Sequence, residues 1–406
     1  LQKKSGQADT RYGVPPEEIR RRTAAFQEIL RKKGIDLALV RQNADLYYLT
    51  GTVQDGHLLV PARGEPAFLV WRVPDRAALE SPLSRQYELS SLRDLPSMLQ
   101  DLGLADSARI GLEMDVLPAS LYLYYSQRTW PGAEFFDISP LLRHVRRLKS
   151  PWELSCIKEA CRQVRQAVSM VPEFLKPGIT ELELSAAVEG ELRKRGHCGL
   201  LRMRIWNQEI AMGQVLSGPN AAVPSWTNTP LGGKGPHPAF GMGASSRPIQ
   251  KGEAVSIDIG GWANGYCCDQ TRLFSLGQPP ELINTSYTVA KNILRILEER
   301  MVPGISCEEA YQAGIDYADS KGLLENFMGY RESKVRFIGH GLGIELDEFP
   351  FVARGNKMIL ETGMIIALEP KFVFPGIGAA GIENTYRVGK DGLERLTSSP
   401  EEIVIL

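Results

Sequence analysis

The sequence predicts an α/β domain over residues 1–145 followed by an α+β domain over residues 146–406 that carries an internal pseudo-twofold repeat. Three observations predict this. Short apolar runs alternate with helical stretches in the first part, the pattern of a layered α/β structure. Ser150-Pro151-Trp152-Glu153 then reads as a capping box with proline at the first helical position, so a new helix and a new domain begin there. Beyond it, KPGITELELSAAVEGELRKRG from Lys176 and VPGISCEEAYQAGIDYADSKG from Val302 align without gaps, matching at the Pro-Gly-Ile turn, the cap, the glutamate after it and the closing glycine.

Pro15-Pro16-Glu17-Glu18 opens the first helix and Gly34 closes it after Arg31-Lys32-Lys33, with charges that suit the helix dipole at both ends. IDLALV, DLYYLTG, HLLVP and EPAFLV are predicted strands. A helical stretch after Pro74, the strand RIGLEMD, an aromatic helix around Tyr122 to Trp130 and the strand EFFDIS follow. Asp45, Asp55 and His57 read as solvated loop residues. In the second domain, the helix from Pro151 is expected to run to about Leu175. The repeat there extends into two acidic strands: Gly252 precedes Asp258 by six residues and Gly363 precedes Glu369 by six, with apolar residues between. Two such halves face to face would bring their acids together at the twofold axis.

VSIDIGGWANGYCCDQTRLF, from Val255, is a hairpin with Asn264-Gly265 as its type I′ turn. Ala263 then faces Tyr266, Gly260 faces Asp269 and Asp258 faces Thr271, so the two aspartates sit diagonally on one face. Like charges held this close need a raised pKa or a bound cation. His340 in FIGHGLG, Glu369 in GMIIALEP and Glu383 in AAGIENT lie where strands or Gly-flanked loops can aim them inward. Four carboxylates and an imidazole suit two divalent ions, Mn, Fe, Co or Zn, better than a thiolate-bound structural zinc. If Pro375-Gly376 is the turn of the second ribbon, Glu369 and Glu383 fall on opposite faces, and a bulge or longer loop is required.

The order Asp258, Asp269, His340 in GHGLG, Glu369 in GM…LEP and a last Glu383 resembles the dinuclear site of the pita-bread metallohydrolases, the superfamily of methionine aminopeptidase, aminopeptidase P, prolidase and creatinase. NADLYYLTG resembles the amino-terminal domain of prolidase and creatinase. The resemblance implies that these five residues bind two divalent metal ions, manganese foremost, with Asp269 and Glu383 bridging and Glu369 also moving a proton from the attacking water to the leaving amine. It implies a homodimer and cleavage of a C–N bond in a small peptide or amide, as by Xaa-Pro peptidases. A creatinase-like or lyase-like enzyme acting on a non-peptide metabolite is the alternative, and a catalytically silent binding protein a third reading.

Several positions depart from the family pattern. The histidine usual seven residues after the ligand histidine is Asp347, and a further histidine would fall at Ser225. The arginine usual two residues before the last glutamate is Gly381, and the usual Glu-Asp is Glu383-Asn384. Ser225 and Asp347 are therefore candidate substrate-binding positions, Asp347 favouring a cationic or hydrogen-bond-donating group. His237, in a Pro/Gly loop, reads as incidental. Arg202 and Arg204 would share one face of a strand and pair with surface acids or read an anionic substrate.

The net charge of -1 offers nothing to attract nucleic acid or an anionic membrane, and no apolar run approaches the roughly 20 residues of a membrane span. Six cysteines without a CxxC pair point to a reducing, cytoplasmic compartment. Cys268, on the opposite strand face from the aspartates, is expected in the core. Leu1-Gln2-Lys3-Lys4 does not read as a signal peptide.

Overall fold

The computed structural model describes residues 13–406, so the reading of Leu1 to Lys4 lies outside the described residues. Two compact units divide after Arg146. In the first, strands β1 (Leu37–Val40), β2 (Gly56–Pro61), β3 (Ala67–Val70), β4 (Gln86–Glu88), β5 (Arg109–Leu112) and β6 (Glu134–Asp137) form a mixed sheet in the order β4-β3-β2-β1-β5-β6. The opening helix is Pro16–Lys33, closed by Gly34 at φ 66° as its left-handed cap.

DLYYLTG is not a strand. Gln42 caps a helix, Asn43–Thr50, by accepting from Ala44 N and Asp45 N at 2.6 and 3.0 Å, and Gly51 ends it. Six of its eight residues are buried, so its sequence shows no polar face by which to tell helix from strand. Asp45 and His57 are likewise buried rather than solvated. Asp45 pairs with Arg146 at 2.6 Å and His57 Nε2 lies 2.8 Å from the Tyr125 hydroxyl, while Asp55 is exposed and pairs with Arg41.

The second unit shows the predicted repeat. Helices Glu181–Lys194 and Cys307–Ser320 are both 14 residues long, each with a complete capping box, Thr180/Glu183 and Ser306/Glu309. The boundary helix is also capped as predicted but ends at Val168, with a separate short turn at Val171–Phe174. Strands β7 (Gly213–Ser217), β8 (Ala254–Ala263) and β9 (Tyr266–Ser275) belong to the first half. The second half contains β10 (Phe337–Gly341), β11 (Glu348–Ala353), β12 (Ile365–Leu368), β13 (Lys371–Phe374), β14 (Gly378–Gly381), β15 (Asn384–Val388) and β16 (Leu393–Arg395). β17 (Val404–Ile405) pairs in parallel with β9, giving the order β17-β9-β8-β7, and the larger sheet runs β11-β10-β12-β15-β16.

Helix Pro151–Val168 packs on β8 and β9, and Glu281–Arg300 packs on β13 and β14, so each ribbon has one helix behind it. At Gly261 a Cβ would stand 2.2 Å from Ala160 O, so only glycine permits this closeness of helix and strand. Ile293, Leu294 and Leu297 meet Phe372, Phe374 and Ala380 in the core of the other half. Cys268 is fully buried.

Candidate metal centre

Asn264 and Gly265 take φ 47° and 82°, and the hairpin has the expected register, Gly260 opposite Asp269 and Asp258 opposite Thr271. Both aspartates are buried on the face that looks toward the second half. The second ribbon reaches the same place differently. Glu369 and Pro370 interrupt the path from β12 to β13, and Ile382 and Glu383 interrupt that from β14 to β15. Glu369 N is held by Ile338 O at 2.9 Å and Glu383 N by Thr271 O at 3.3 Å. These irregular junctions, with a three-residue turn at 375–377, bring the two glutamates to one pocket despite the simple parity count.

All five predicted residues line that pocket. Donor atoms of Asp269, His340 and Glu383 lie within 4.8 Å of one another, and His340 Nε2 is 3.8 Å from Glu369 Oε1. A sixth group stands among them. The buried Lys371 ammonium lies 2.7 Å from Glu369 Oε2, 2.9 Å from Asp258 Oδ2 and 3.2 Å from Glu383 Oε2. Burial alone would lower the Lys371 pKa, yet the charges of Asp258, Glu369 and Glu383 hold it well above the usual lysine value.

One ammonium does not neutralise four carboxylates. Burial, then the negative charges of Glu383 and Asp258, push Asp269 well above the carboxylate range. Glu383 is pushed up to about 8, first by burial and then by Glu369 and Asp258, against the opposing charge of Lys371. Such a cluster calls for a cation. Glu383 Oε2 accepts from Thr271 Oγ1 at 2.7 Å and from Lys371, whereas Glu383 Oε1 is buried without a hydrogen-bond partner. A glutamate with one orphaned oxygen, grouped with Asp269 and His340 donors, fits a divalent ion with oxygen and imidazole ligands. Around them, Arg272 donates to the backbone oxygens of Thr271 and Glu383 at 2.8 and 2.7 Å and to Asn384 Oδ1 at 2.7 Å. Thr385 Oγ1 donates to Asp269 O at 2.8 Å.

Asp347 also lines the pocket, its Oδ1 accepting from Arg204 N at 3.2 Å. Ser225 does not. Its hydroxyl donates to Gly241 O at 3.1 Å, and the segment reaches the pocket through Thr227, Asn228 and Thr229. His237 is exposed and its Nδ1 accepts from Ala239 N. Residues 202–204 are not a strand, and Arg204 is buried 3.8 Å from Glu345, itself a buried acid and not a surface one. The sequence reading missed Lys371, Thr271 and Arg272. A lysine inside the otherwise apolar strand KFVF, beside a predicted ligand, is the signal that pointed to the first.

Two similar halves that gather acids and one histidine between them define the pita-bread metallohydrolase class. The chain belongs to metallopeptidase family M24, whose model matches residues 155–390, and residues 22–148 match the creatinase/prolidase N-terminal domain. It is a metallopeptidase-type hydrolase, which does not favour the non-peptide and silent-binder alternatives. It is 28% identical to a probable dipeptidase PepE of Mycobacterium tuberculosis, over 96% of this chain and 97% of that protein. A solved Xaa-Pro dipeptidase from Bacillus anthracis is 26% identical with a TM-score of 0.81, over 96% of this chain and all of the other. The Pyrococcus horikoshii prolidase, 24% identical with a TM-score of 0.80 over 95% of this chain and 100% of that one, shares the fold. Among the described residues no helix is long and apolar enough to cross a membrane.

Proposed function

We propose that this chain hydrolyses the peptide bond of small Xaa-Pro peptides, with divalent metal, manganese first and iron, cobalt or zinc as alternatives, held among Asp258, Asp269, His340, Glu369 and Glu383. The observation that carries the reading is the convergence of Asp269, His340 and Glu383, with Asp258 and Glu369, on one pocket that apolar side chains also line. When bound, the ion polarises the scissile carbonyl and lowers the pKa of the attacking water. Glu369 passes the water proton to the leaving amine, with Oε2 held by Lys371 and Oε1 facing His340. Leu201, Met203, Phe337 and Phe351 offer an apolar wall for a proline ring or an apolar side chain. Asp347, where family members have an imidazole, suits the substrate's cationic amino group. A homodimer is the assembly the family resemblance supports, and all six cysteines are free, as suits a reducing cytoplasm.

The test is mass-spectrometric product analysis with the manganese-loaded protein and a panel of Xaa-Pro dipeptides and longer peptides. Cleavage that is lost in Glu369→Gln supports the reading. No cleavage of any peptide by metal-loaded protein overturns it.

A further inference from the structure

We propose that Lys371 is a built-in cation that takes the place of one of the two metal ions expected from the sequence, so that the site holds a single divalent ion. The inference deepens the reading above and rests on it only for the presence of an ion. It begins with position. The ammonium is within hydrogen-bond distance of one oxygen each from Asp258, Glu369 and Glu383, three of the five expected ligands, in a site where its side chain is 2% exposed. A second ion bound through Asp258 and Glu369 would compete for the same oxygens at the same place.

The side chain is accommodated there by the fold. Lys371 and Gly381 are directly opposed in the β13–β14 ribbon. A Cβ at 381 would lie 2.4 Å from Lys371 Cγ and 2.9 Å from Lys371 Cβ, so the missing side chain at 381 makes the channel through which the lysine stem reaches the acids. Gly381 stands where the family resemblance expects an arginine. The ribbon therefore lacks a cationic side chain on one strand and has one on the facing strand, aimed at the ligands themselves.

Formal charge is compatible with one ion. Four carboxylates and one ammonium leave three negative charges, and one divalent ion reduces these to one. Two divalent ions beside the ammonium would put three cations among four acids, each repelling the other two across a short distance. The oxygens are divided accordingly. Those of Asp258 and Glu369 contacted by Lys371 are satisfied, whereas Glu383 keeps one oxygen without a partner and, with Asp269 and His340, forms the donor group within 4.8 Å where the one ion belongs.

The experiment measures manganese per chain on the full-length protein by elemental analysis and isothermal titration, with no reference to cleavage. Wild type is expected to bind about one ion, and Lys371→Ala about two, a doubling. Wild type binding about two ions or none, or a folded Lys371→Ala that still binds one, overturns the proposal. Because the variant removes a buried charge and could fail to fold, manganese-edge anomalous scattering from wild-type crystals gives an independent readout. A single peak beside Asp269, His340 and Glu383 is expected, and a second peak among Asp258, Glu369 and the lysine overturns it. A peptidase panel that fails while the stoichiometry holds rejects the substrate and keeps the lysine's role.

Discussion

Gly381→Ala tests the packing that puts a lysine among the acids. The new methyl would overlap Lys371 Cγ at 2.4 Å, and the stem has nowhere to go, since Lys371 is 1% exposed. Overpacking a filled core costs about 1–3 kcal/mol. If the ammonium is also forced off Asp258, Glu369 and Glu383, removing the partner of buried charges adds about 3–5 kcal/mol. The sum is on the order of 4–8 kcal/mol; at about 2–4 °C per kcal/mol for a large domain, this lowers the Tm by roughly 8 °C or more. Differential scanning fluorimetry in EDTA measures the loss, and added manganese should recover part of it by replacing the displaced ammonium. Gly190→Ala is the control, because that glycine lies inside helix Glu181–Lys194 and, apart from its chain neighbours and the helix's own backbone, nothing comes within 4 Å of the added Cβ. It should stabilise by up to about 1 kcal/mol. A Gly381→Ala Tm within about 2 °C of wild type in EDTA would refute the claim that the glycine makes room for the lysine.

Two further outcomes follow from the same geometry. Thr271→Val removes the hydroxyl that orients Glu383 Oε2 at 2.7 Å and should weaken manganese binding about 10- to 100-fold by titration calorimetry, with unchanged affinity counting against a role in ligand orientation. Burial, and then the charge of Arg41, hold the His57 pKa well below its ordinary value, so below about pH 6.5 the unfolded chain binds a proton that the folded chain refuses. Stability of the amino-terminal unit should therefore fall as pH drops below that point, and His57→Gln should flatten the decline in a pH series of thermal melts; an unaltered slope contradicts the assignment.

What could be read in the sequence was what is determined locally. Asn264-Gly265 sets its own turn conformation, so the register of the aspartate hairpin followed from counting outward, and the two capping boxes repeated the same bonds in both halves. The helix Asn43–Thr50 was misread because burial on nearly every side removes the periodicity that separates helix from strand. The paths of Glu369 and Glu383 could not be placed because strand parity fails wherever the chain leaves the ladder, as it does at Pro370 and Ile382. Lys371 was overlooked for a different reason. Its meaning depends on Gly381 across the ribbon and on Asp258 in the other half, contacts that only the assembled fold supplies.

The most direct test of a peptidase with one ion beside a lysine is the rate of Xaa-Pro dipeptide cleavage as manganese is added stepwise to metal-free protein. The account predicts a rate that rises to a plateau at about one equivalent and does not change at two. A rate that needs the second equivalent, or no cleavage at any ratio, would contradict it.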